Sequence, residues 1–158
     1  MLSNIFIVII TFGIMEFVAW GAHKYVMHGF LWSWHRDHHQ KDKFKRFFEK
    51  NDLFFLIFAI PAMSGFLFSY FIPDLKFCLY IAIGITLYGA AYFLIHEAFI
   101  HQRFPWFKKT NNWYFRAIRK AHKIHHKHLT KENGESFGML FVHPKYFREA
   151  LATKGNEF

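Results

Sequence analysis

A single cysteine, Cys78, stands in 158 residues. It excludes an intrachain disulfide framework and any cluster of thiolates, so a metal site in this chain has to be built from imidazole, helped at most by carboxylate. Glycine and proline are also few, nine and four, and they form no flexible linker and mark no second domain. Acidic residues are scarce: 11 Asp and Glu stand against 20 Lys and Arg, a net charge of +9. Against these shortages stand two excesses. Hydrophobic residues make up 53% and aromatic residues 22%, with 23 Phe, well above an ordinary soluble domain. A chain that is both this apolar and this basic has to segregate the two. Its length allows one domain, residues 1–158.

The segregation is visible along the chain. Residues 2–22, 53–72 and 75–95 are apolar runs long enough to cross a bilayer, which takes about 20 residues. The first is broken by Glu16, the second contains Pro61, and the third carries Lys76 at its edge. Pro73-Asp74 reads as a tight turn that makes the last two runs a hairpin. The first run has no basic residue before it and no small-x-small cleavage site, so it is expected to be an anchor rather than a leader. The expected architecture is an all-α membrane protein of about three transmembrane helices, four at most, with a His-rich cap of interfacial helices. Seven Lys and Arg fall in residues 23–52 and twelve in 103–158. Basic loops stay in the cytoplasm, so the N-terminus is expected outside and the basic face and C-terminus in the cytoplasm.

Twelve histidines complete the pattern, all at or beyond the ends of the runs on that same side. Ten of them fall into four motifs. His23 and His28 are five apart, as are His96 and His101. "WHRDHH" supplies His35, His38 and His39, and "AHKIHH" supplies His122, His125 and His126. On a helix each three-histidine word spreads over about 100°, one face, which packing does not explain. The five-apart pairs sit roughly 140° apart on an ideal helix. They fit either ligands for different ions or a helix distorted into a π-turn. Ten imidazoles are too many for one zinc, which takes three or four ligands. Shared between two six-coordinate ions they give five nitrogens each. Imidazole suits iron, copper and zinc alike; oxidation of a lipophilic substrate at the membrane surface favours iron.

Other residues receive blander expectations. His143, beside Pro144, is expected to cap a helix, and His128 leaves the ligand face. Glu97 is expected either to accept from an imidazole N–H or to be a plain interfacial charge. Asp37 is expected to meet solvent or an Arg. Glu16, buried in an apolar run, is expected to orient a ligand or to pair with a basic side chain. Residues 40–50 read as a basic interfacial helix, and residues 106–135 as a helix with Asn112 as its N-cap. The Phe-rich second run is expected to face lipid or pack spans rather than to line a polyene tunnel. Trp20, Phe30, Trp32 and Trp34 fit a ring pocket or an interfacial belt equally.

In its motifs and their order the chain resembles the bacterial carotenoid β-ring hydroxylases, within the fatty acid hydroxylase and desaturase superfamily of membrane di-iron oxygenases. The resemblance rests on "MEFVAWGAHKYVMHGFLWSWHRDHH" (15–39), "NDLFF" (51–55), "YGAAYFLIHEAFIHQRFPW" (88–106), "AHKIHH" (121–126) and "SFGMLF" (136–141). It departs at Glu97, where Asp is common, and at His143, where an apolar residue or Pro is usual. The resemblance implies two iron ions on the ten motif histidines, with zinc able to replace them on expression. It implies O2-dependent hydroxylation of a β-ionone ring at C3, from β-carotene through β-cryptoxanthin to zeaxanthin, with electrons from a reduced ferredoxin. The basic face is then expected to meet anionic lipids and an acidic ferredoxin, not nucleic acid. Two rivals remain: a fatty acyl or sterol hydroxylase on the same scaffold, and a non-enzymatic His-rich protein that carries or senses metal.

Overall fold

A computed structural model describes residues 2–40 and 48–153. The basic stretch 41–47, most of the expected interfacial helix, lies outside the described residues. Among the described residues the regular structure is helical throughout. Three helical stretches are long and apolar enough to cross a membrane: Leu2–Phe30, Lys50–Phe71 and Cys78–Ile100. The first and third run on past residues 22 and 95, where the apolar runs were expected to end. Helix α1, Leu2–Gly21, continues as a π-helix over Ala22–Phe30. Helix α4, Cys78–Tyr92, continues as a π-helix over Phe93–Ile100. Between α1 and α4, α2 spans Trp32–His39 and α3 spans Phe55–Phe71. A 3₁₀ turn at Pro73–Leu75 joins α3 to α4 as a hairpin.

Small residues and a mixed apolar seam hold the three long helices together. Gly84 lets α4 approach α1 closely: a Cβ there would lie 2.7 Å from Thr11 Cβ and 2.9 Å from Val8 O. Without a hydrophobic drive between helices in lipid, such close backbone approach is what packs them. Met15, Ala19, Phe58, Ala62, Ile85 and Tyr88 fill the seam, and Met139 of the C-terminal loop closes its end. The outward faces, Phe6, Phe17, Phe68 and Phe71 among them, are exposed apolar surface.

Over the basic ends lie α5, Trp113–His125, and α6, Pro144–Ala152. The expected helix over 106–135 is shorter than its pattern. Asn112 caps it as expected, accepting from Tyr114 N at 2.9 Å and Phe115 N at 3.3 Å. Residues 106–112 do not join it. Arg119, buried, instead draws the carbonyls of Phe99, Phe107 and Lys108 together at 2.8, 3.0 and 2.9 Å. Residues 128–135 leave the helix to serve imidazoles, described next. Ala117, Ala121, Tyr146 and Ala150 form a second small core between α5 and α6.

Candidate metal centre

All ten motif histidines converge where the π-helices, α2 and α5 meet. His23, His28, His35, His39 and His125 offer nitrogens within 4.8 Å of one another, and so do His38, His96, His101 and His122. His126 joins the second set, its Nε2 2.8 Å from His122 Nε2. The π-helices settle the five-apart pairs. An i→i+5 bond makes residues five apart successive turns of one face, as in His101 N to His96 O at 2.9 Å. Both members of each pair therefore enter the same group. The three-histidine words divide instead. In each, the first and last imidazoles, one turn apart, enter one group and the middle one crosses to the other. His38 on α2 crosses to the second group, and His125 on α5 crosses to the first.

For six of the imidazoles the nitrogens facing inward are the lone-pair nitrogens. His23 Nδ1 donates to Phe137 O at 2.9 Å, His28 Nδ1 to Leu129 O at 3.1 Å and His125 Nδ1 to Glu135 O at 3.0 Å. His35 Nδ1 bonds Asn51 Oδ1 at 2.6 Å, His38 Nδ1 bonds Glu49 Oε2 at 3.0 Å and His96 Nδ1 bonds Glu97 Oε1 at 2.6 Å. A neutral imidazole that donates through Nδ1 leaves Nε2 as an acceptor. Yet His23 Nε2 lies 3.1 Å from His35 Nε2, and His28 Nε2 lies 3.1 Å from His125 Nε2. Two lone pairs face each other in each case, an arrangement that suits a cation between them. A proton is disfavoured: burial foremost holds His35 down at about 3 and His125 at about 2. Burial and the neighbouring imidazoles likewise hold His38, His39 and His122 well below the ordinary range. The buried Nε2 atoms of His38 and His96 have no hydrogen-bond partner.

The spacing also speaks to coordination number. Nitrogens about 2.1 Å from one ion lie about 3.0 Å apart at adjacent octahedral positions and about 3.4 Å apart in a tetrahedron. The observed Nε2 separations are 3.1 Å for His35–His39 and 2.8 Å for both His101–His122 and His122–His126. They are short enough for neighbouring nitrogens to share one ion. Ring stacking of His39 on His126, centroids 4.2 Å apart, joins the two groups.

Around the imidazoles, carboxylates and a guanidinium complete the scaffold. Arg103 clamps Asp52 at 2.7 and 2.9 Å and Glu97 at 2.8 Å, and hydrogen bonding to Asp52 chiefly raises its basicity. Glu97 thus bridges His96 to Arg103. Burial pushes Glu49 up to about 7, against the pull of Arg103. Asp37 Oδ2 accepts from Lys50 N at 2.7 Å, and among the described residues no hydrogen bond joins it to an Arg. Glu16 has Tyr88 and three backbone amides as its partners, and among the described residues no imidazole or basic side chain hydrogen-bonds it. His143 caps α6, accepting from Lys145 N at 3.2 Å, and His128 is exposed, outside both groups. Of the four flanking aromatics, Trp32 packs on His28 at 5.2 Å and His39 at 5.5 Å. Trp20, Phe30 and Trp34 are exposed. Sequence spacing did not mark Glu49, Asn51 or the carbonyls of Leu129, Glu135 and Phe137. The signal for Asn51 was a polar pair, Asn51-Asp52, opening an apolar run.

A cavity of about 370 Å³ adjoins the centre, lined in part by Met27, Phe54, Phe58, Gly89 and Tyr92, with Glu97 and Arg103 at its polar end. Tyr92 separates it from His96, the ring centroids 4.7 Å apart. Phe54, Phe55 and Phe58 of the Phe-rich run line it, while Phe68 and Phe71 face outward.

The family model described as "Fatty acid hydroxylase" matches residues 8–144. The chain is 36% identical over 145 residues to a beta-carotene hydroxylase of Paracoccus sp. (strain PC1), covering 90% of this chain and 86% of that one. It is 38% identical over 141 residues to a beta-carotene hydroxylase of Pantoea ananas, covering 89% and 78%. It is 39% identical over 139 residues to a chloroplastic beta-carotene 3-hydroxylase of Gentiana lutea, covering 85% and 41%. No solved structure matches.

Proposed function

The chain belongs to the fatty acid hydroxylase family, and from that premise we propose that it hydroxylates C3 of the β-ionone ring of carotenoids, taking β-carotene through β-cryptoxanthin to zeaxanthin. Each turnover would consume one O2, two electrons and two protons, leaving one hydroxyl on the ring and one water. The observation that carries the reaction class is the two groups of converging imidazoles, with lone pairs facing one another across 3.1 Å within the first. Similarity to beta-carotene hydroxylases over most of the chain supports the substrate. His23, His28, His35, His39 and His125 would hold one iron, and His38, His96, His101, His122 and His126 the other. Two iron ions so held would supply the redox chemistry that an unactivated C–H bond demands and that zinc lacks.

The chain's own residues do the rest. The Nδ1 acceptors of His23, His28, His35, His38, His96 and His125 keep their Nε2 atoms unprotonated and aimed inward, and partners of this kind raise ligand basicity. Trp32 and Phe137 pack against the first group and restrict water there. The apolar cavity beside Tyr92 suits a ring entering from lipid, since a pocket that binds such a ligand is mostly apolar with few polar groups. The whole chain, 1–158, would act as one integral domain of the bacterial cytoplasmic membrane, N-terminus outside and imidazole face in the cytoplasm. There its basic surface would steer a reduced ferredoxin, the electron donor.

Expression in a bacterial host that accumulates β-carotene, with a ferredoxin system present, tests this. Cryptoxanthin and zeaxanthin should appear in the extract, should be absent with His38→Ala, and should persist with His143→Ala. Unchanged β-carotene beside a membrane-inserted, metal-loaded protein would move the substrate to an acyl chain or sterol.

A further inference from the structure

Glu16 lies buried within the first apolar helix, where an ionisable side chain is costly and marks function more often than packing. Its oxygens are fully used. Oε2 accepts from Tyr88 OH at 2.7 Å. Oε1 accepts from three successive backbone amides of the C-terminal loop, Met139 N at 2.9 Å, Leu140 N at 2.8 Å and Phe141 N at 3.1 Å. Successive amides converging on one oxygen form an anion-binding concavity, here filled by the protein's own carboxylate. The approach depends on Gly138, where a Cβ would lie 2.9 Å from Glu16 Oε1 and 2.9 Å from Phe141 O.

Just before these amides, the same loop meets the imidazoles. Phe137 O accepts from His23 Nδ1, and the Phe137 ring packs on His23, His28 and His125 at 5.6, 5.2 and 5.0 Å. Earlier in the segment, Glu135 O holds His125. None of the observed Nδ1 partners in the second group comes from this loop: His38 uses Glu49 and His96 uses Glu97.

We propose that Glu16 is a positioning residue for the first imidazole group. It clasps loop 139–141 so that the Phe137 carbonyl fixes the tautomer and aim of His23. Losing the clasp disables the first group and spares the second. The proposal rests on the reading of these imidazoles as metal ligands.

Metal stoichiometry tests it without turnover. The full chain, purified from membranes in detergent, is loaded with Co(II), and cobalt content and visible d–d absorption are measured. The parent chain should bind about two equivalents and Glu16→Leu about one, with altered absorption, because imidazole ligands set the affinity of each site. Glu16→Gln keeps a carbonyl oxygen for the amides and should restore both. His23→Ala should resemble Glu16→Leu, and combining the two should cost nothing further. Two unchanged equivalents in Glu16→Leu would overturn the proposal. So would loss of both equivalents together with helix content, which would make Glu16 a general staple of the fold. Should Glu16→Leu fail to reach the membrane, Gly138→Ala, which keeps the carboxylate and crowds the loop, carries the same test with the same outcomes. A parent chain that fails to bind two cobalt ions would instead sink the metal-centre reading itself.

Discussion

At the residue scale, six of the ten imidazoles are oriented by what their outer nitrogen meets. Asn51 is the clearest instance, because its oxygen at 2.6 Å is the partner of His35 Nδ1. Asn51→Leu should keep the fold and lower metal affinity or activity by about 10- to 100-fold, the usual cost of losing such a partner; metal titration of the purified variant checks it. A carboxylate acts outside the centre. Lys145, then Tyr146, hydrogen-bonds Glu135 and holds it below its ordinary value of 4.5. A folded-state value below the unfolded one stabilises at pH above 4.5 and is lost as pH falls through the lower, folded value. The melting-temperature gap between the parent chain and Glu135→Gln should therefore be full at neutral pH and close in acid. The ten ligand candidates were legible in the motifs. Their partners were not, because a carbonyl of Leu129 or Phe137 has no side-chain signature.

At the element scale, helix ends and helix contacts carry the centre. Helix α5 bears His122 and His125 and leads into His126, and its first turn relies on Asn112. Asn112→Ala should lower stability by about 1 kcal/mol, the typical worth of an N-cap, read as a modest drop in melting temperature with metal content kept. Gly84 matters more, since α1 and α4 each lead through the π-helices beyond them to two imidazoles. Gly84→Leu places side-chain atoms where Thr11 and Val8 already stand. Overpacking of this kind costs about 1–3 kcal/mol, and the resulting shift of α1 against α4 should loosen both groups at once, seen as weaker binding of both cobalt equivalents. The three long helices were legible from hydropathy, whereas the end of α5 was not. Its amphipathic pattern ran on toward residue 135, and the draw of the imidazoles on the 129–137 carbonyls overrode it.

At the scale of the whole molecule, the two similar halves exchange one ligand each. The half ending in α2 keeps His23, His28, His35 and His39 and gives His38 across. The half ending in α5 keeps His96, His101, His122 and His126 and gives His125 across. Neither half can complete its group alone, so the two groups form together when the imidazoles of α2 and α5 meet. The cavity beside Tyr92 likewise exists only in the assembled bundle. Gly89 lines it, and a Cβ at Gly89 meets nothing within 4 Å. Gly89→Phe should fill the cavity and cut conversion of β-carotene at least about tenfold while both metal ions are retained, because room for the ring is lost and the ligands are untouched; pigment chromatography beside metal analysis checks it.

The sequence by itself determined the three apolar helices, the segregation of charge to their far ends and the ten imidazoles gathered there. These follow from composition and local period, which act along the chain. Only the tertiary structure decided how the imidazoles divide. Whether His38 serves the group of its neighbours or the opposite one depends on where α5 lies. Whether residues five apart share a face depends on π-turns that the packed helix ends hold in place. The inward aim of six of the Nε2 atoms depends on oxygens brought from elsewhere in the chain, as far apart as His23 and Phe137. Such partners are set by distance in space, to which spacing along the chain is blind.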